Sequence, residues 1–357
     1  MRSGPRTSTS EAPAPAGLAD LSPGYFALVM ATGIVSVAAH LHGLETVAIA
    51  LFWLNVAMWS VLWLLSLLRA TLHARRFFGD MVDHSRGPGF FTTVAGTAVL
   101  GSQFVILEAD YRFALALGVF AIVLWVALTY TIFTAFTIKE RKPTLDRGIN
   151  GAWLLAVVAT QSLAVLGALV AGHALPSWRL EINFFAFSMW LWGGMLYIWM
   201  MSLIFYRYTF FEFSPADLSP PYWINMGAMA ISTLAGALLI LNTPHAPFIH
   251  SMLPFIKGFT VFYWATGTWW IPMLVVLAIW RHGIKRFPFT YDPMYWGAVF
   301  PLGMYAASTL RMMQAMSLDF LGLLPHVMFG IGLAAWAILC IGQLRALRRH
   351  WQASAAP

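Results

Sequence analysis

Arg311 stands 11 residues after Phe300 in one apolar run, and at ~100° per residue the two share a helix face about 16 Å apart along the axis. A guanidinium at the outer end of such a face attracts anions, while a phenyl ring deeper on it obstructs passage. Pro301, Met304 and Ser308 lie on the same run, followed by Thr309. Four other apolar runs carry small or uncharged polar residues: Thr32, Gly33 and Ser36; Thr92, Thr93, Gly96, Thr97 and Ser102; Thr160, Gln161 and Ser162; Asn225, Ser232 and Thr233. Hydroxyls, amides and backbone groups freed at Gly or Pro can replace part of an ion's hydration shell. The candidates for lining such a path are Thr32, Gly33, Ser36, Thr93, Thr97, Thr160, Gln161, Asn225, Ser232, Pro301, Met304 and Ser308, with Phe300 as the obstruction and Arg311 at the outer mouth. Each has a plainer reading: Gly, Ser and Thr mediate close helix packing, Arg311 suits a snorkelling interfacial residue, and Phe300 is one of 27 phenylalanines in a chain full of packing aromatics.

Other chemistry has little to build on. All 14 Asp and Glu fall in connections, tails or span ends, so no buried carboxylate suggests a proton relay or cation site. His40, His42, His173, His245, His250 and His326 sit near outer span ends without the i, i+4 pairing that puts two ligands on one helix face; only His40 and His326 are deep enough to act as proton-sensitive groups. Cys340 is the only cysteine, which excludes an intrachain disulfide or a cysteine metal cluster. No metal and no cofactor is expected. A membrane methyl or acyl transferase is disfavoured because no nucleophile, base and metal set clusters in the spans.

The elements that must position these residues are transmembrane helices. The chain has 357 residues, 60% hydrophobic and 10% charged, against about 25% charged in soluble domains, and its mean hydropathy is +0.72. About 20 apolar residues cross ~30 Å of hydrocarbon, which predicts ten spans at 24–41, 46–68, 89–107, 113–137, 151–172, 182–205, 222–242, 254–280, 294–316 and 321–344. Lys and Arg accumulate on the cytoplasmic side. With the N-terminus inside, 17 of the 21 fall on inner segments, leaving Arg112, Arg179, Lys257 and Arg311 outside. The +7 charge is therefore a matter of topology, and no nucleic acid is expected. Residues 1–20, rich in Ser, Pro and Ala, are read as a disordered cytoplasmic tail, 21–345 as the membrane domain and 346–357 as a second cytoplasmic tail.

The odd spans begin near 24, 89, 151, 221 and 294, at intervals of 65, 62, 70 and 73 residues, as five helical hairpins would. Polar and small residues concentrate on these odd spans, while spans two, four and ten are almost continuously apolar. An inner set of odd helices around a path, wrapped by even helices facing lipid, follows from that contrast.

The segments PGYFALVMATGIVS (23–36), GPGFFTTVAGTAVLGSQF (87–104), AWLLAVVATQSLAVLG (152–167), PPYWINMGAMAIS (220–232), ATGTWWIPML (265–274) and YWGAVFPLGMYAAS (295–308) resemble the tellurite-resistance/dicarboxylate transporter family. Malate transporters, sulfite exporters and slow plant anion channels belong to it. The resemblance covers nearly all of residues 21–345. It implies an all-α fold of ten helices in five hairpins with pseudo-five-fold arrangement, a pore lined by the odd helices, a homotrimer in the cell's inner (plasma) membrane, and a phenylalanine plugging the pore from span nine. Phe300, beside Pro301, matches that plug. Family channels carry mid-span prolines on several inner helices, whereas here only span nine does, with Ala159 and Gly33 in regions where others would stand; that leaves channel and carrier both open. The expected partners are small inorganic anions or dicarboxylates and the lipid bilayer. The leading expectation is channel-like anion passage, and the rival is a proton-coupled malate or dicarboxylate transporter, with tellurite resistance at most an indirect consequence.

Overall fold

The protein is described here by a computed structural model covering residues 17–288 and 291–354. Residues 1–16 of the expected N-terminal tail lie outside the described residues. Leu18–Asp20, read as part of that tail, form a 3-10 turn.

Ten long helices occur among the described residues: α1 Ala27–Leu41, α2 Glu45–Leu72, α3 Phe91–Glu108, α4 Tyr111–Ile138, α5 Leu155–Ala171, α6 Pro176–Phe210, α7 Ile224–Asn242, α8 Leu253–Ala278, α9 Trp296–Met316 and α10 Leu323–Ser354. Among the described residues, nine helical stretches are long and apolar enough to cross a membrane. The tenth, α9, falls short because it spends positions on Gly297, Pro301, Gly303, Arg311 and Gln314. Several even helices run past their expected ends, since their termini carry aromatic and basic residues that a hydropathy window discounts. α6 begins at Pro176 and reaches Phe210, and α10 continues to Ser354. The basic connection after α2 contains a further short helix, Ala74–Met81.

Four of the connections from an odd helix to the next even helix are short, while the α7–α8 connection holds a 3-10 turn, Thr243–His245, and a short helix, Pro247–Ser251. α3 ends where Ala109 takes a left-handed conformation at φ 51°, and Asp110 then caps α4 by accepting from the backbone N–H groups of Arg112 and Phe113 at 3.1 and 3.0 Å. Ser317, at φ 58°, ends α9 the same way.

The odd helices pack consecutively: α1 on α3, α3 on α5, α5 on α7, α7 on α9, and α9 back on α1. Each even helix packs on the outside of the odd helix before it. Between 83% and 94% of the apolar stretches containing α1, α3, α5 and α7 is buried, against 22–28% for those of α2, α4, α8 and α10 and 50% for α6. The core therefore sits among the odd helices. Most exposed large apolar residues, such as Leu64, Val123, Trp199 and Ile338, lie on even helices, as a lipid-facing perimeter requires.

A 3-10 turn precedes every odd helix: Pro23–Phe26, Gly87–Phe90, Gly151–Leu154, Pro220–Trp223 and Pro293–Tyr295. Pro or Gly starts each turn and an aromatic side chain stands within or beside it. The five turns touch in sequence, and the last touches the first. Glycine permits two of these approaches: a Cβ on Gly89 would stand 3.2 Å from the Gly24 nitrogen, and one on Gly151 would stand 2.6 Å from the Pro221 carbonyl oxygen. Basic residues at the C-terminal ends of even helices strap this collar. Arg69 donates to the Ala19 carbonyl at 3.1 Å, Lys139 to the Val82 carbonyl at 3.3 Å and Arg281 to the Leu218 carbonyl, while Arg207 donates to Asp217 at 3.0 Å and to the Tyr222 hydroxyl.

Candidate functional site

A narrow cavity of about 30 Å³ lies where the five odd helices meet. Its walls repeat one pattern. Ile34, Val37 and Leu41 come from α1, Val99, Ser102 and Ile106 from α3, Ser162, Val165 and Leu169 from α5, Ile231, Leu234 and Leu238 from α7, and Met304 and Arg311 from α9. The spacing is i, i+3, i+7 in every case, with α9 lacking only the middle member, so each helix turns one stripe to the axis. The volume is enough for about one or two water-sized particles.

The lining is apolar except for two hydroxyls and one cation. Ser102 and Ser162 keep their hydroxyl protons on their own helices, donating to the Ala98 and Val158 carbonyls at 2.9 and 2.8 Å. Arg311 is half-buried and donates to Gln314 Oε1 at 2.9 Å. No carboxylate among the described residues pairs with it, and none lines the cavity. A single uncompensated positive charge in a low-dielectric wall favours an anion and repels a cation.

One turn further in on the same five faces come Met30, Ala95, Val158, Gly227 and Phe300. All are buried, Phe300 at 1% exposure, and the cavity stops short of them.

Of the residues singled out in the sequence, Met304 and Arg311 line this cavity, and Phe300 belongs to the tier beneath it. The hydroxyls of Thr32, Thr97 and Thr160 are engaged sideways, toward the outer helices. Each accepts from a tryptophan indole: Trp336 to Thr32 at 3.0 Å, Trp59 to Thr97 at 3.0 Å and Trp125 to Thr160 at 2.8 Å. Trp264 makes the same bond to Thr309 at 3.1 Å, and Trp190 donates to the Ser232 carbonyl at 2.8 Å. Every even helix thus latches to the following odd helix through one tryptophan, with α10 latching to α1.

Ser36 donates to the Ala48 carbonyl at 2.7 Å, Gln161 to the Trp190 carbonyl at 3.0 Å, and Asn225 to the Tyr208 hydroxyl at 3.2 Å. Ser232 and Ser308 bond to carbonyls of their own helices, and Thr93 lines a lateral crevice between α2 and α4. Gly33 and Pro301 serve close packing: a Cβ on Gly33 would stand 2.5 Å from Val99 Cγ1, and Pro301 Cγ would stand 2.7 Å from a Cβ on Gly227. Ser102 and Ser162, the hydroxyl residues that do reach the axis, are not among the lining residues expected from the sequence. The repeated i, i+3, i+7 stripe, offset by 63 to 73 residues from one odd helix to the next, is the signal that finds them.

His40 holds Glu45 at 2.9 Å, and the His42 ring stands edge-on to His326 with centroids 4.8 Å apart. None of these three histidines lines the cavity, and no group of three or more His, Cys, Asp or Glu among the described residues could hold a metal.

The profile of the voltage-dependent anion channel family matches residues 20–344. An uncharacterized transporter of Methanocaldococcus jannaschii is 26% identical over 331 residues, covering 89% of this chain and 91% of its own length. A membrane protein of Mycobacterium tuberculosis, also uncharacterized, is 38% identical over 152 residues, covering 43% of this chain and 77% of its own. A sulfite efflux pump of Arthroderma otae is 23% identical over 315 residues, covering 83% and 82%. The apolar helices, the uncompensated cation at the axis and this match across nearly the whole chain converge: the protein belongs to the voltage-dependent anion channel family.

Proposed function

We propose that the protein passes small anions across the membrane along the axis of its odd helices, with Phe300 as the gate and Arg311 as the attracting charge at the outer mouth. The observation that carries this reading is the cavity lining, which has one arginine and two serine hydroxyls and no carboxylate. Selectivity then rests on bore and dehydration cost more than on a fixed ligand set. A small inorganic anion such as chloride, nitrate or sulfite suits a space of about 30 Å³ with one cation better than a dicarboxylate, which needs two charges neutralised. The absence of carboxylate and histidine from the lining favours passive flow over proton coupling.

All ten long helices cross the bilayer in this reading, as five hairpins in a pseudo-five-fold ring with both ends cytoplasmic. The 17 of 21 Lys and Arg on inner segments support that orientation. Assembly as a homotrimer in the plasma membrane follows from the family resemblance.

Purified protein in liposomes tests the proposal: under imposed potentials, chloride, nitrate and sulfite should move electrogenically and malate should not. Malate uptake that saturates and follows a pH gradient would refute it.

A further inference from the structure

We infer that the crevice between α2 and α4 at the inner membrane face binds one anionic glycerophospholipid. Its volume is about 370 Å³. Trp63 of α2 forms one wall, Leu124, Ala127 and Leu128 of α4 the other, and Phe78 and Met81 of the short helix Ala74–Met81 cover its inner end. The apolar interior continues the lipid-facing belt, where Leu64 and Leu67 on α2 and Val123 and Val126 on α4 are exposed.

Two polar features single out the occupant. The Trp63 indole N–H is buried without an acceptor, although its ring lines the crevice. A buried donor is costly to leave unmatched, and a turn of the ring toward the crevice would offer it to a glycerol-ester carbonyl. The rim is cationic. Asp80 is already held between Arg69 and Arg86 at 2.5 and 3.3 Å, and the Asp83 carboxylate accepts from the backbone N–H groups of Ser85 and Arg86. Arg75 has no carboxylate partner among the described residues, and the Arg76 side chain is 63% exposed even while it meets Asp20. Arg75 and Arg76 belong to the short helix whose Phe77, Phe78 and Met81 line the crevice, and a phosphate at the membrane surface would be attracted to that helix. Residues 1–16, MRSGPRTSTSEAPAPA, are an unsuitable filling, being polar and carrying arginines of the same sign as the rim.

Native mass spectrometry of the purified full-length protein, titrated with phosphatidylglycerol, phosphatidylcholine or glycerol 3-phosphate, tests the inference. One phosphatidylglycerol should be retained in preference to phosphatidylcholine, and glycerol 3-phosphate should not compete. The double variant Arg75→Gln/Arg76→Gln should weaken retention by about 10- to 30-fold at low salt. Ala127→Trp should exclude the acyl chain, and Trp63→Phe, which keeps the wall but removes the donor, should weaken binding several-fold. Equal retention of both lipids, competition by glycerol 3-phosphate, or wild-type binding by all three variants would overturn it. Dissociation of an oligomer by Ala127→Trp with lipid retention intact would instead make the crevice an interface between copies, and would equally overturn it.

Discussion

If Phe300 is the gate proposed above, opening a path past it requires its ring to leave a site where it is 1% exposed. Moving a fully buried phenylalanine side chain out of its packing costs about 1.5–3 kcal/mol, and each ~1.4 kcal/mol of barrier is a factor of ten in rate. Phe300→Ala removes the ring, so anion flux through the protein in liposomes should rise by about 10- to 100-fold. Phe300→Leu, which keeps an apolar side chain of smaller size, should fall between, and Phe300→Tyr should stay near wild type. The truncation also removes core packing, at about 3–5 kcal/mol for a buried Phe→Ala. Flux must therefore be normalised to protein that elutes as a single species and retains its helical circular dichroism. The order Ala above Leu above wild type separates gating from general damage, because a leak through misfolded protein would not discriminate anions from cations. Folded Phe300→Ala with wild-type anion flux would refute the gate.

Other perturbations act on different parts. Arg311→Gln should lower chloride flux by about tenfold at low ionic strength, with the difference shrinking as salt screens the charge; a loss independent of salt would mean that Arg311 acts by packing. Gly227→Ala should destabilise the protein by about 1–3 kcal/mol, because the new Cβ would stand 2.7 Å from Pro301 Cγ, and a melting temperature equal to wild type in detergent would contradict the packing of α7 on α9. Trp125→Phe removes the indole donor to Thr160 and should cost about 0.5–1 kcal/mol, read as a lower melting temperature with anion selectivity unchanged. In the connection between α2 and α3, burial and the nearby Lys139 charge hold the His84 imidazole below its ordinary pKa. A depressed folded-state pKa contributes stability that is present above the unfolded value of 6.5 and is lost as pH falls through the folded one. Acidification from pH 8 to 5 should then lower the melting temperature, and His84→Phe, which keeps a ring to stack on Phe136, should flatten that slope.

Much of the architecture is legible in the residue types because lipid is an exacting solvent. Long apolar runs must be helices, basic residues gather on one side, and polar residues avoid the perimeter, so the odd spans are identifiable as the buried set before any coordinates. The identity of the lining is not. On α3, Thr97 and Ser102 are both hydroxyl residues in an apolar run, yet five residues turn them ~140° apart; one meets Trp59 and the other the cavity. Thr160 and Ser162 on α5 are ~200° apart, and they divide the same way between Trp125 and the axis. A hydroxyl that satisfies an indole and one that faces an ion are chemically the same, and the distinction needs the phase of each helix about its axis. That phase is carried by the apolar residues of the i, i+3, i+7 stripes and by one tryptophan per even helix at 59, 125, 190, 264 and 336. Attention to polar residues alone passes over both. The collar is local by contrast, since Pro and Gly beside an aromatic recur before every odd helix, but its closure depends on contacts between turns far apart in sequence.

Under the proposed function anions travel along the axis between Ser102 and Ser162, and single cysteines there report their passage in a Cys340→Ala background that leaves no other thiol. With Ser102→Cys or Ser162→Cys in liposomes, a small anionic thiosulfonate reagent should block chloride flux, and chloride should slow the modification, while Thr97→Cys and Thr160→Cys should be unaffected. Block at the threonine positions with no effect at the serines would contradict the account.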